Sequence, residues 1–391
     1  MGCTPPREGT SPEDAVTICR KFVDRSRANA TDGFIVYDIQ DESSRNADAR
    51  PFPFRRTLDP VEFASIFPRE SGKSVVVYKV PVESKVAEFD SWLAQASISY
   101  GHRTFNLVGP ASAADGATRV SLAQAAERLV ADRDLAFGCV TIAERHLKKG
   151  TEHLNILRKT ALGAKWFISQ AVYDAEATVR LLNDYATECR KRGEAPRKII
   201  LTFAPAGRPK TLQFCKWLGI NVPEAVETRV LAKAAVSKEA AVAESVDICC
   251  ELLKQILRQT EGCGVPLGVS VESVSGFKEE IDGAFELFRR LQQVLLDSKG
   301  APWGVRWYRV PLASLAKTSS EEALLKLEAR EAVKKAPSEG GGGGVADAAA
   351  VATALPARSV EVQAPANPFL ERAVMLALGI TIGLAISRVM R

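Results

Sequence analysis

From residue 11 to about 297, short apolar, β-branched runs alternate with longer segments whose apolar side chains recur every three or four positions. The runs lie at 33–39, 74–80, 104–108, 135–142, 165–169, 198–203 and 266–271. They are apolar throughout rather than alternating, the pattern of strands covered on both faces, as in parallel sheets. Of the intervening segments, 11–30 opens with Ser11 as a cap and Pro12 at the first helical position. The segment 151–164 places Leu154, Leu157, Ala161 and Leu162 on one helical face, and 175–193 ends at Gly193, a helix stop. Strand–helix alternation over this length predicts an α/β fold, either a doubly wound sheet or a closed barrel. A (β/α)8 TIM barrel needs one more strand, ahead of the first helix. Only residues 1–4 precede Pro5-Pro6 there, so either this stub is the first strand or the sequence begins late.

After Asp297 the pattern changes. A short aromatic stretch at 302–311 fits no element, and 319–335 predicts a helix with a Ser319…Glu322 capping box. Residues 336–368 are rich in Gly, Ala and Pro and read as a flexible linker. The uncharged stretch 373–386 lies between Arg372 and Arg388. A bilayer span usually takes about 20 apolar residues, but flanking arginines can snorkel and a thin membrane would help. A buried core helix is the rival reading, but such a helix would not hang from a flexible leash. The expectation is therefore a C-terminal membrane anchor, the barrel facing the cytosol, with the mitochondrial outer membrane or another thin organelle membrane as host. Gly379-x-x-x-Gly383 would let two such helices approach, which leaves a homo-oligomer open. The expected domains are a barrel at 1–300, a helical extension at 301–335, a linker at 336–368 and the anchor at 369–391.

Composition narrows the function classes. A chain that is 46% hydrophobic and 25% charged can bury a substantial core. The net charge of +5 is small and no basic stripe with interleaved aromatics occurs, which argues against nucleic acid. The eight cysteines are scattered, with no Cys-x-x-Cys pair and few histidines, so a metal site is not expected and the thiols read as reduced. Charged residues near the N-terminus exclude a secretory signal, and Pro6 spoils the acylation pattern that Gly2 and Cys3 suggest.

In a (β/α)8 barrel the active site lies at the C-terminal ends of the strands. Counting the stub as first, the second strand ends in Asp38, Gln40, Asp41 and Glu42, and the third at Lys79. The fourth ends at Gly109, the fifth at Glu144, Arg145 and His146, the sixth at Gln170, the seventh near Pro205 and Arg208, the eighth at Glu272. These residues line one rim, or they show only the ordinary polarity of loops. In the loop 41–57, Arg45, Arg50, Arg55 and Arg56 surround Phe52 and Phe54. That set could hold a planar anion by fork contacts and stacking, or simply face solvent. Cys249-Cys250 falls on an apolar helix face and reads as core.

The stretch VTIAERH…EHLNILRKTALGAKWFISQAVYD, within residues 135–174, resembles the fifth-to-sixth strand region of methylenetetrahydrofolate reductases. The matching features are Glu144-x-His146, Glu152, Lys159, Gly163-Ala164 and Gln170, and the likeness runs through about 30–297, strongest at 137–225. The resemblance implies a flavin-containing barrel of one-carbon metabolism and methionine biosynthesis, in which NAD(P)H reduces FAD and FAD passes a hydride to methylenetetrahydrofolate. It further implies that Glu144, His146, Glu152 and Lys159 contact the cofactor, Lys159 and the helix starting near Thr151 serving the diphosphate. Gln170, with Asp38 or Gln40, would contact a folate.

Three departures stand against the pattern. The family's first strand ends in a catalytic glutamate where this chain has Gly2. Its Arg-Gly-Asp after strand four reads Val108-Gly109-Pro110 here, and its arginine after strand eight is missing near Glu272-Ser273. No residue is therefore assigned as the catalytic acid. The expected function is a flavin-dependent oxidoreductase of this type, and the rival is a non-catalytic, membrane-tethered barrel acting as a scaffold or assembly factor.

Overall fold

The computed structural model describes residues 1–42, 47–109 and 119–298. The chain divides into two units, Met1–Tyr308 and Arg309–Arg391, and every described residue belongs to the first. The expected helix at 319–335, the linker and the anchor at 373–386 lie outside the described residues, as do Arg45 and Pro110. Among the described residues no helix is long and apolar enough to cross a membrane.

Eight parallel strands stand in chain order in one sheet, a nearly closed barrel. They are β1 (Gly2–Cys3), β2 (Gly33–Val36), β3 (Ser74–Lys79), β4 (Thr104–Leu107), β5 (Ala136–Thr141), β6 (Trp166–Ala171), β7 (Lys198–Phe203) and β8 (Leu267–Val271). The seven expected strands are all present, and the stub is the eighth. Gly2 and Cys3 pair with Ile35 and Val36, and the Met1 amine donates to the Gly33 carbonyl at 2.9 Å.

The helices are α1 (Pro12–Ser26), α2 (Pro60–Ala64), α3 (Ile66–Ser71), α4 (Val86–Ala94), α5 (Leu122–Ala131) and α6 (Ala143–Lys149). They continue with α7 (Glu152–Ala161), α8 (Ala175–Arg192), α9 (Pro209–Trp217), α10 (Glu224–Ala234), α11 (Lys238–Gln259) and α12 (Lys278–Asp297). Ser11 caps α1 by accepting from the Asp14 amide, and Gly193 ends α8 at φ 66°, where an L side chain would be strained. The face expected for α7 is partly wrong. Leu154 is exposed, while Ile156 and Leu157 are buried along with Glu152. A 3.6-residue period fixes the angular spacing of apolar residues but not which of two overlapping faces meets the sheet.

Alternation within each strand sorts side chains to two sides of the barrel wall. Phe34, Val36, Val75, Val77, Phe105 and Leu107 join the large core under the helices. Ile35, Tyr78 and Ile168 form a separate cluster inside the barrel, with Tyr37, Val76, Val108, Val140, Trp166 and Ile200 packed on it. Two glycines make room within this interior. A Cβ on Gly138 would lie 2.5 Å from Cε2 of Trp166, and one on Gly2 would lie 2.7 Å from Cε2 of Tyr37. The Cys249-Cys250 pair is core, as expected, and all eight cysteines are free thiols.

Candidate functional site

The mouth at the C-terminal ends of the strands gathers polar side chains from β2, β3 and β8. Asp38 and Gln40, expected at a substrate, lie together just past β2: Gln40 Nε2 donates to Asp38 Oδ1 at 2.6 Å, and the Val80 amide donates to Oδ2 at 3.0 Å. Burial pushes the Asp38 carboxyl pKa up, against the pull of Lys79 and these hydrogen bonds. The Lys79 ammonium sits 5.1 Å from the Trp92 ring centroid.

Two residues of this mouth, Tyr37 and Tyr78, were not singled out in the sequence, and a third, Glu272, was placed on the rim without an assigned role. Tyr37 and Tyr78 meet edge to face with centroids 4.8 Å apart. Glu272 follows β8, its amide donating to the Phe203 carbonyl at 3.1 Å. Glu272 keeps some exposure at the mouth, yet burial pushes its carboxyl pKa up, and the hydroxyl of Tyr37 partly offsets this. That hydroxyl is buried and makes no well-formed hydrogen bond, although the Glu272 carboxyl stands beside it. The sequence signal for the tyrosines was the alternation Ile35–Tyr37 and Val76–Tyr78, which puts polar rings on the inner side of runs that read as uniformly apolar.

The residues expected to hold a dinucleotide divide between two places. Glu144 is buried, its carboxyl pKa pushed up by desolvation, and it meets the backbone of Asn221. Gln170 stands near it, donating to the Leu218 carbonyl at 2.9 Å, and β6 carries a register shift between Ile168 and Ala171. Glu144 and Gln170 line one small cavity with Thr141 and Ser169. The other three serve the packing of α6, α7 and α8 outside the barrel. His146 is fully buried and its Nε2 lies 2.8 Å from Asp184 Oδ2, with the His153 ring edge-on at 5.0 Å. Glu152, 1% exposed, accepts from the Ile142 amide at 3.2 Å, Thr141 Oγ1 at 3.3 Å and Asn155 Nδ2 at 2.9 Å. Its carboxylate is thus itself the anion at the N-terminus of α7. Lys159 Nζ donates to the Val140 carbonyl at 2.6 Å, and burial lowers its pKa.

These side chains do not fit a dinucleotide as they stand. To reach them, a ligand would have to displace Asp184, Ile142 and Val140 from bonds already made. The stretch "AERH" thus opens α6 instead of ending β5: His146 faces Asp184 of α8, Glu144 meets the backbone of Asn221, and Arg145 is exposed.

The part of the loop 41–57 from Asp48 onward packs against α9, where Trp217 Nε1 donates to the Asp48 carbonyl at 2.9 Å. Phe52 packs edge-on to Phe214 at 5.2 Å and to Phe277 at 6.1 Å. The Arg50 guanidinium lies 5.5 Å from the rings of Phe54 and Phe214 and 5.3 Å from Trp217. Stacking is used here within the protein, while Arg55 and Arg56 are exposed. Among the described residues no cluster suits a metal ion.

No protein-family model and no curated protein matches the sequence. Among solved structures, the chain is similar to an uncharacterized protein from Clostridium thermocellum that binds two copies of 5-methyl-5,6,7,8-tetrahydrofolic acid. The identity is 28% and the TM-score 0.62, over 75% of this chain and 94% of that one. A GH113 beta-1,4-mannanase aligns over 77% of this chain and 98% of its own, at 12% identity and a TM-score of 0.42, too low to carry an argument.

Proposed function

We propose that this chain binds a reduced folate at the mouth of its barrel. The observation that carries the reading is the likeness to a folate-binding barrel along 94% of that protein's length. The chemistry of the mouth supports it. A pterin presents a row of ring donors and acceptors, and carboxyl and carboxamide groups such as Asp38, Gln40 and Glu272 complement such an edge. The test is calorimetric titration of the full chain with 5-methyl-5,6,7,8-tetrahydrofolate. Saturable binding in the micromolar range, about −8 kcal/mol, is the expected result, with the stoichiometry separating one site from two. Asp38→Asn should weaken it about tenfold, roughly the 1.4 kcal/mol of one charged hydrogen bond. Absence of binding at millimolar ligand would overturn the reading.

The finer form is a methylenetetrahydrofolate reductase-like oxidoreductase, in which hydride passes from NAD(P)H through FAD to 5,10-methylenetetrahydrofolate or a related substrate. Its support is the sequence resemblance at 137–225, and the enclosed positions of His146, Glu152 and Lys159 weigh against it. FAD would supply the redox chemistry when bound. An absorbance spectrum of the full chain with added FAD decides it: protein-bound flavin bands surviving gel filtration support the oxidoreductase, and a colourless protein rejects it. The rival is a barrel without catalysis, tethered to a membrane through residues 373–386 as a scaffold. It is favoured by Gly2, where Tyr37 fills the space an acidic side chain would need. Vesicle flotation of the full chain against a chain lacking 373–391 tests the tether. Loss of flotation on truncation supports it, and equal behaviour of the two removes it.

A further inference from the structure

Tyr37 brings two distant parts of the chain to one point. Its ring covers Gly2, where an added Cβ would lie 2.7 Å from Cε2, so β1 sends no side chain into this part of the barrel. Its buried hydroxyl lacks a well-formed hydrogen bond and faces the carboxyl that Glu272 brings from the end of β8. Buried polar atoms seldom go without a partner, so a hydroxyl in this position marks a place where charge or a ligand atom is to be met. Glu272 keeps partial exposure at the mouth, as Asp38 does.

We infer that Glu272 is a proton-transfer residue of the mouth: its carboxyl passes a proton to a basic ring nitrogen of the bound ligand, and the Tyr37 hydroxyl hydrogen-bonds the carboxylate left behind. The inference rests on the folate reading above and deepens it. The step balances without a further reactant. One O–H bond of the carboxyl breaks, one N–H bond on the ligand forms, and the pair becomes carboxylate and ring ammonium, each stabilised by the other. Burial supports the direction, since it favours the protonated acid before ligand arrives. The titratable groups facing Glu272 are Tyr37 from the end of β2, Tyr78 from β3 and Cys215 from α9. Burial raises the pKa of all three, that of Cys215 to about 12, so none takes up or releases a proton near neutrality. Glu272 is the carboxylic acid among these groups, its pKa raised by burial.

The experiment is the affinity of the full chain for 5-methyl-5,6,7,8-tetrahydrofolate as a function of pH, paired with the ultraviolet difference spectrum that reports ring protonation. In the unaltered protein, affinity should hold level at low pH. It should then fall about tenfold per pH unit once free Glu272 ionises, because each binding event must then take a proton from solvent. Glu272→Gln should remove that slope and the protonation spectrum while leaving weaker binding. Tyr37→Phe should keep the slope but move its onset to higher pH, because the hydroxyl no longer favours the carboxylate. If Glu272→Gln fails to fold, the Tyr37→Phe onset carries the test. A Glu272→Gln profile that matches the unaltered protein, or a Tyr37→Phe onset that does not move, would overturn the inference and leave the folate reading standing. If the unaltered protein binds no folate at any pH, the folate reading falls first.

Discussion

Glu280 offers the sharpest test of how the rim is held. It lies in the first turn of α12, has no exposed surface, and receives four donors. The amides of Gly207 at 2.8 Å and Arg208 at 3.0 Å donate to Oε1, and Thr211 Oγ1 at 2.9 Å and the Ser275 hydroxyl donate to Oε2. One carboxylate thus ties together the β7–α9 turn, α9 and the segment after β8. A buried charged pair can often be replaced by apolar groups at little cost, but here two of the partners are backbone amides that no substitution removes. In Glu280→Leu the hydroxyls can turn to other acceptors, whereas the two amides stay buried without one. At about 1–3 kcal/mol per stranded donor, the loss should be about 2–6 kcal/mol. Glu280→Gln keeps an acceptor for the amides and should cost only about 1–2 kcal/mol, the charge assistance. Urea unfolding of the full chain followed by far-ultraviolet circular dichroism measures both. A Leu variant within about 1 kcal/mol of the unaltered protein would refute the reasoning, because the amides would then have found other partners or water.

Three further outcomes follow from the barrel interior and its buried groups. Gly138→Ala should destabilise by about 1–3 kcal/mol through overpacking against Trp166, and a Trp166→Phe background should relieve part of that loss in a double-mutant cycle. His102 is buried, its Nε2 donates to the Val61 carbonyl at 2.8 Å, and burial lowers its pKa below the ordinary 6.5. The fold therefore prefers neutral His102, whose contribution is complete above 6.5 and is lost as pH falls below 6.5 toward the folded value. Stability compared at neutral and mildly acid pH should decline less in His102→Gln. Only Cys3 and Cys263 have partial exposure, and burial pushes the Cys3 thiol up to about 12, so a thiol reagent should label Cys263 first, Cys3 slowly and the other six only on unfolding. Mass spectrometry of the labelled peptides would show any other pattern.

Most of the architecture could be read from the chain, for a local reason. Strands buried on both faces must be apolar along their length, so seven of the eight announce themselves in sequence. The first does not, because two residues hold too little pattern, and its strand character comes from the ladder to Ile35 and Val36. The rim positions were also legible, since polar residues must appear where apolar strands leave the core. Asp38 with Gln40, and Glu144 with Gln170, do come together as neighbours of one rim or cavity.

The sequence by itself determined which segments are strands, their order, and where polar groups stop them, because these depend on periodicity along a few consecutive residues. Only the tertiary structure decided which way those groups point. Glu144, His146 and Glu152 lie within nine residues of one another, yet Glu144 meets the loop at Asn221 while His146 and Glu152 are spent on Asp184 and the end of β5. Tyr37 and Glu272, 235 positions apart in the chain, face each other because a curling sheet brings its first strands back toward its last. Side-chain direction at a rim is set by what packs against it, and that partner is remote in sequence.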